Sequence, residues 1–128
     1  MYKLYLDDIR FPHNTYPTTH DSEWVIARSY DEFVAIITER GMPFIISFDH
    51  DLSFEHYPFN EKDGGIHSPR TIPYDQYKEK TGFHCAKWLV EKCMDDNVDL
   101  PKWYVHSANT VGAENIRSYL TSYERSRT

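Results

Sequence analysis

Four carboxylates stand at the ends of two short apolar runs. Asp7 and Asp8 close Tyr2-Lys3-Leu4-Tyr5-Leu6, and Asp49 and Asp51 flank His50 after Phe44-Ile45-Ile46-Ser47-Phe48. A third run, Trp103-Tyr104-Val105, ends in His106-Ser107-Ala108-Asn109. Brought to one place, four carboxylates repel one another and raise each other's pKa, and a divalent cation removes that conflict. Oxygen ligation by Asp7, Asp8 and Asp49 favours Mg²⁺ or Mn²⁺, which keep several waters and bind through one or two carboxylates plus a substrate phosphate. A single Asp after a strand is as readily a loop-start residue, but four at two neighbouring strand ends point to metal.

The residues around these carboxylates suit phosphate. Arg10 has the planar fork that grips a phosphate bidentately, with a surface salt bridge as its plainer use. His106 ends its run as a general acid or base near neutral pH, or as a metal ligand. His50 sits between two aspartates, so on an alternating strand it faces away from them. Ser107-Ala108-Asn109-Thr110 leads into the amino end of a helix, where free amides and the helix dipole attract anions. Thr81-Gly82 opens another helix in the same way, and a plain helix start explains it equally. The division of labour that follows gives Asp7, Asp8 and Asp49 the cation, and Arg10, Ser107, Asn109, Thr81 and Gly82 the phosphate. Proton movement falls to His106 with His50 or Asp51. Other chemistries lack their signatures: there is no Walker loop and no G-x-G-x-x-G. His50-Asp51 follows a strand, whereas HD phosphohydrolases take their ligands from helices. Cys85 lies mid-helix at a buried position and is a weak nucleophile.

These residues need a scaffold that gathers strand ends. Strands are expected over residues 3–7, 24–28, 43–48 and 103–106. Ser29 to Arg40 forms a helix with Ser29 and Glu32 at capping-box spacing, an apolar face of Tyr30, Phe33, Val34 and Ile37, and Gly41 then Pro43 beyond its end. A second helix runs from Gly82 to Asp96 on Ala86, Leu89, Val90 and Cys93, and a third from Gly112 to Glu124 on Ala113, Ile116, Leu120 and Tyr123. The link between the first two strands is short for a helical crossover. Residues 53–80 are polar, rich in Pro and Gly, and read as an insertion or lid with one helical turn at Tyr74–Lys78. The alternation calls for an α/β fold: a mostly parallel flavodoxin-like sheet of about four strands in the order 2-1-3-4, flanked by helices on both faces. In that order Asp7 or Asp8 and Asp49 end side by side, on strands about 4.8 Å apart, and can share one cation.

The chain has 128 residues, enough for a single domain over 1–128. Its net charge of −6 argues against an extensive nucleic-acid surface. Cys85 and Cys93 lie about two turns apart on one helix and read as reduced core thiols. No segment approaches the roughly 20 apolar residues of a membrane span, and the N-terminus has no signal pattern, so a cytoplasmic location is expected.

Leu6-Asp7-Asp8-Ile9-Arg10, Ser47-Phe48-Asp49-His50-Asp51-Leu52, Thr81-Gly82 and Val105-His106-Ser107-Ala108-Asn109 with Gly112 and Asn115-Ile116 together resemble the cyclic-phosphate-processing receiver-like family. The resemblance spans nearly everything except residues 53–80. It implies a receiver-like fold and action on cyclic phosphates of nucleotides or RNA ends. Compared with a response-regulator receiver, Asp7 and Asp8 stand at the acidic metal pair, Asp49 at the phospho-accepting aspartate and Ser107 near the hydroxyl position. The lysine of that scheme has no counterpart, there are four strands rather than five, and the helix between strands one and two is degraded or missing. Phosphotransfer signalling is therefore the weakest expectation. A metal-dependent phosphoesterase acting on a small nucleotide or RNA end is the first, and a non-catalytic module that binds a nucleotide, a phosphorylated end or a protein partner is the alternative.

Overall fold

The computed structural model describes residues 1–53, 56, 59–60, 65–66 and 72–128. Four strands, β1 (Lys3–Leu6), β2 (Trp24–Ala27), β3 (Ile45–Phe48) and a last strand at Lys102–Val105, form one all-parallel sheet. Two short strands lie between, β4 (Phe59–Asn60) and β5 (Gly65–Ile66), paired antiparallel in a separate ribbon, which makes the last strand β6. The main sheet runs β2-β1-β3-β6, the expected order. β1 and β2 end one residue earlier than expected and β6 is shifted back by one, because Asp7, Arg28 and His106 already direct their side chains into loops and hydrogen bonds, while β3 starts two residues later than expected, at Ile45.

Register across the sheet matches Leu6 with Phe48 and Phe48 with Val105. The residues that follow, Asp7, Asp49 and His106, therefore form one row, tied by the amide of Asp49 to Leu6 O and that of His106 to Phe48 O, each at 2.9 Å. Alternation sends the row to the same face as Tyr5 and Ser47.

Helices lie on both faces, unequally. Leu4, Leu6, Ile46 and Phe48 point to the thick face and join one core with Phe33 and Ile37 of α2 (Tyr30–Arg40), Cys85, Ala86, Leu89, Val90 and Cys93 of α3 (Gly82–Asp96), and Ile116, Leu120 and Tyr123 of α4 (Thr110–Ser126). Burying such side chains contributes about 1.5–3 kcal/mol each. The thin face is covered by residues 11–23. The link that sequence reasoning left without a helix holds a single turn, α1 (Pro12–Thr15), started by Pro12 at its first position, and then a 3₁₀ turn at Asp21–Glu23. Its cover is aromatic: Tyr16 stacks on Trp24 at 5.7 Å, Trp24 meets Tyr5 edge-on at 5.9 Å, and Tyr5 Oη pairs with Thr15 Oγ1 at 2.7 Å.

Local signals account for the helix ends. Ser29 Oγ accepts from the Glu32 amide at 3.2 Å, but the Glu32 carboxylate reaches one residue further back than a capping box requires, to the Arg28 amide at 2.8 Å. Gly41 ends α2 at φ +86°, a conformation that an L side chain strains to adopt. Both cysteines are reduced and buried. The lid expected over 53–80 falls in part outside the described residues. Its closing part has a 3₁₀ turn at Tyr74–Gln76, inside the expected helical turn.

Candidate functional site: a carboxylate row between two histidine relays

Asp7 sits at the centre of a saturated cluster of hydrogen bonds. Its Oδ1 accepts from the amides of Ile9 at 3.0 Å and Arg10 at 2.8 Å, and its Oδ2 from Arg10 Nε at 2.9 Å and His106 Nε2 at 3.0 Å. A carboxylate has about four acceptor positions, so all are taken. Burial pushes the Asp7 carboxyl up, but the His106, Ile9 and Arg10 hydrogen bonds and the Arg10 charge outweigh it and leave it at about 2. Burial in turn holds the His106 imidazole below its usual range despite Asp7. Asp7 is thus an anion facing a neutral imidazole, and their contact is a hydrogen bond rather than an ion pair.

His106 is fixed from three sides. Its ring stacks on Tyr5 at 4.5 Å with planes 3° apart, and its Nδ1 lies 2.7 Å from Ser47 Oγ, which lies 2.8 Å from Tyr16 Oη. With Nε2–H donating to Asp7, the chain runs from Tyr16 O–H to Ser47 Oγ, from Ser47 O–H to His106 Nδ1, and on to Asp7. Sequence reasoning missed Ser47 and Tyr16, although a hydroxyl within Ile45-Ile46-Ser47-Phe48 is a visible signal. It also missed Arg28, whose Nη1 donates to the carbonyls of Asp7 at 3.0 Å and Arg10 at 2.6 Å and so clamps the loop after β1.

Asp49 has less support, its Oδ1 accepting from the His50 amide at 2.8 Å. It is 4% exposed, and Arg10 Nη2 is 3.5 Å from its Oδ1. Burial first, then the charge of Asp7, push its carboxyl up to about 7, against the pull of Arg10 and Ser107. Asp8 is half-buried and is also raised, by burial and then by Asp7. The guanidinium expected to grip phosphate lies across Asp7 and Asp49 here, with 37% of its side chain exposed.

His50 turns away from the row, as alternation requires. It is fully buried, with Nδ1 2.7 Å from Asp51 Oδ1 and Nε2 2.8 Å from Tyr74 Oη, which accepts from Asn115 Nδ2 at 2.9 Å. Asn109, the N-cap of α4, accepts from the Gly112 amide through Oδ1 and donates to Asp51 Oδ1 through Nδ2, each at 3.0 Å. Its amide is thereby committed within the protein. Gly112 is forced by this packing, because a Cβ there would collide with the His50 ring. Gly82 is forced likewise: a Cβ would collide with the Asp49 carbonyl, and its amide donates to His50 O at 2.8 Å. Thr81 caps α3 through Oγ1 to the Phe83 and His84 amides, and its own amide donates to His84 Nδ1 at 2.9 Å. Ser107 Oγ accepts from the Asn109 amide at 3.1 Å, and the hydroxyl helps to hold the Asp49 carboxyl down.

The space that remains is a pocket of about 170 Å³ lined by Asp7, Asp8, Ile9, Arg10, Asp49, Asp51 and Ala108. Thr81, Gly82, His50, Ser107 and Asn109 are not among the residues that line it. One ligand atom each from Asp7, Asp49 and His106 lies within 4.8 Å of the others, so those three, among the described residues, form the set that fits a metal ion. Asp8 lines the same pocket outside that set. Residues 2–122 match the family of the cyclic-phosphate processing receiver domain. The chain belongs to that family. No curated protein and no solved structure matches it. Its thin face is covered by one turn of helix and an aromatic layer. No helix among the described residues is long and apolar enough to cross a membrane.

Proposed function

We propose that this receiver domain is a divalent-metal-dependent phosphoesterase that opens the cyclic phosphate of a nucleotide or an RNA end. The observation that carries the reading is the row itself: two carboxylates and an imidazole converge within 4.8 Å, and burial, then the charge of Asp7, pushes one of those carboxyls up to about 7. Carboxylate and imidazole together suit Mn²⁺ better than Mg²⁺. Asp7, Asp49 and His106 would hold the ion, with Asp8 beside it, once Arg10 releases Asp7 and the His106 proton moves to Nδ1. The ion's contribution is to lower the pKa of a water and to steady charge on phosphoryl oxygens.

This chain's own groups supply the rest. Hydrolysis adds a hydroxyl to phosphorus, breaks one P–O ester bond and delivers a proton to the departing ribose oxygen, leaving a monoester. Arg10, half-exposed and freed from the carboxylates, grips the phosphoryl oxygens. The segment 107–110, whose Ala108 lines the pocket, meets the anion's other side. Asp51, on the pocket wall with His50 behind it, takes the proton of the attacking water and returns it to the leaving oxygen. The test is turnover of 2′,3′- and 3′,5′-cyclic nucleotides and cyclic-phosphate-ended RNA with Mn²⁺, Mg²⁺ or EDTA, beside Asp49→Asn. Metal-dependent opening that Asp49→Asn abolishes while remaining folded is the expected result. Turnover by Asp49→Asn at the wild-type rate would overturn it.

A second reading has its own support. Arg10 spans Asp7 and Asp49 and so competes with a cation for both, which suits a site that binds rather than turns over. Saturable nucleotide binding with no product under every metal condition would favour that module.

A further inference from the structure

Behind the pocket, on the side away from Arg10, a second line of hydrogen bonds runs into the protein from Asp51 to α4, and its far end belongs to neither strand edge. Tyr74 lies 24 residues beyond His50, at the close of the long connection before α3. Its ring is clasped by Phe83 at 4.9 Å, by His84 at 5.5 Å and by Tyr77 at 6.3 Å, so the hydroxyl has a fixed position.

We infer that Tyr74 and Asn115 set the tautomer of His50, and through it hold Asp51 as a proton acceptor towards the pocket. The argument is one of donor counting. Asn115 Nδ2 can only donate, so Tyr74 Oη accepts from it and turns its own hydrogen elsewhere. His50 Nε2, at 2.8 Å, receives that hydrogen and must be bare. The imidazole proton is left on Nδ1, where it donates to Asp51 Oδ1 at 2.7 Å. Asn109 Nδ2 donates to the same oxygen at 3.0 Å, which fixes the carboxylate's orientation from a second side. Burial pushes the Tyr74 hydroxyl up to about 12, so it keeps its proton across the working range. His50 has no room to turn over, being fully buried against Gly112. Tyr74 and Asn115 are positioning residues: they touch no substrate and act through His50.

The kinetic arm of this inference rests on the phosphoesterase reading, while its structural arm does not. Nitrogen NMR of the imidazoles distinguishes a protonated ring nitrogen from a bare one and reads the tautomer without substrate. Wild-type His50 is expected to show a protonated Nδ1 and a bare Nε2. In Asn115→Asp, an isosteric change at a half-buried site, the new carboxylate accepts the Tyr74 hydrogen, and Nε2 of His50 becomes protonated. A wild-type proton on Nε2, or an unchanged His50 in Asn115→Asp, overturns the inference. In turnover assays Tyr74→Phe is expected to lower kcat about ten- to a hundred-fold with KM nearly unchanged, the range for losing a group that orients a reacting residue. Wild-type kcat in Tyr74→Phe overturns the positioning role. If wild-type protein opens no cyclic phosphate, the phosphoesterase reading fails, and the NMR comparison still decides the tautomer.

Discussion

Two histidines flank Asp49, and each holds an aspartate at one ring nitrogen and a hydroxyl at the other. On the thin face the chain is Asp7, His106, Ser47 and Tyr16, and on the helical face it is Asp51, His50, Tyr74 and Asn115. They differ in what ends them. The first relay ends in two hydroxyls, each able to donate or accept, so its direction can reverse and His106 can carry its proton on either nitrogen. The second ends in an amide that only donates, and His50 is locked. A reversible relay stands behind the histidine that could turn a lone pair to a cation, and a one-way relay behind Asp51, the carboxylate proposed as proton acceptor. The tautomer of a buried histidine is therefore decided two bonds away from it.

The sharpest way to break this contrast is steric. Gly112→Ala drives a methyl into the His50 ring, which is tethered at both nitrogens, and should cost about 3 kcal/mol by urea unfolding. A loss well below about 1 kcal/mol would mean that His50 can move and is not locked. On the other face, Ser47→Ala removes the middle of the reversible relay and strands a buried ring nitrogen. It should cost about 2 kcal/mol, and more than Tyr16→Phe, which removes only the half-buried end. Equal losses would show that the hydroxyls do not act as a chain.

The smallest effect concerns pH. His84, whose ring packs against Tyr74, is held down to about 4 by burial and then by Lys80 and Lys87. Its Nδ1 accepts the Thr81 amide and so must stay bare. Between pH 6.5 and about 4 the unfolded chain binds a proton at this site that the folded chain refuses, so His84 lowers stability as pH falls through that window. His84→Gln can still accept from the Thr81 amide and should show a shallower fall in Tm from pH 7 to pH 5. An unchanged slope would place the acid sensitivity elsewhere, with His106, also held below its usual range by burial, as the next candidate.

Much of the site was legible because strand ends are written locally. Apolar runs that stop in Asp7, Asp49 and His106 announce buried parallel strands, and the order 2-1-3-4 then makes those residues neighbours. Alternation alone put His50 on the opposite face. The partners were not legible. Ser47 looks like a stray hydroxyl in an apolar strand until Tyr16 and His106 flank it, and Arg28 looks like a strand residue until its guanidinium is seen on the carbonyls of Asp7 and Arg10. Arg10 itself pointed to phosphate, and only the folded chain shows it across two carboxylates.

The sequence by itself determined which residues reach the sheet edge, because strand period and apolar patterning act over a few residues and fix both strand ends and faces. Tertiary structure decided what those residues are once there. Protonation and tautomer depend on burial and on donors that arrive from far along the chain, Tyr74 from 24 residues and Asn115 from 41 beyond that. Hydrogen-bond direction is a property of the assembled chain of partners, and apart from the contact between the neighbours His50 and Asp51 its links join residues far apart in the sequence.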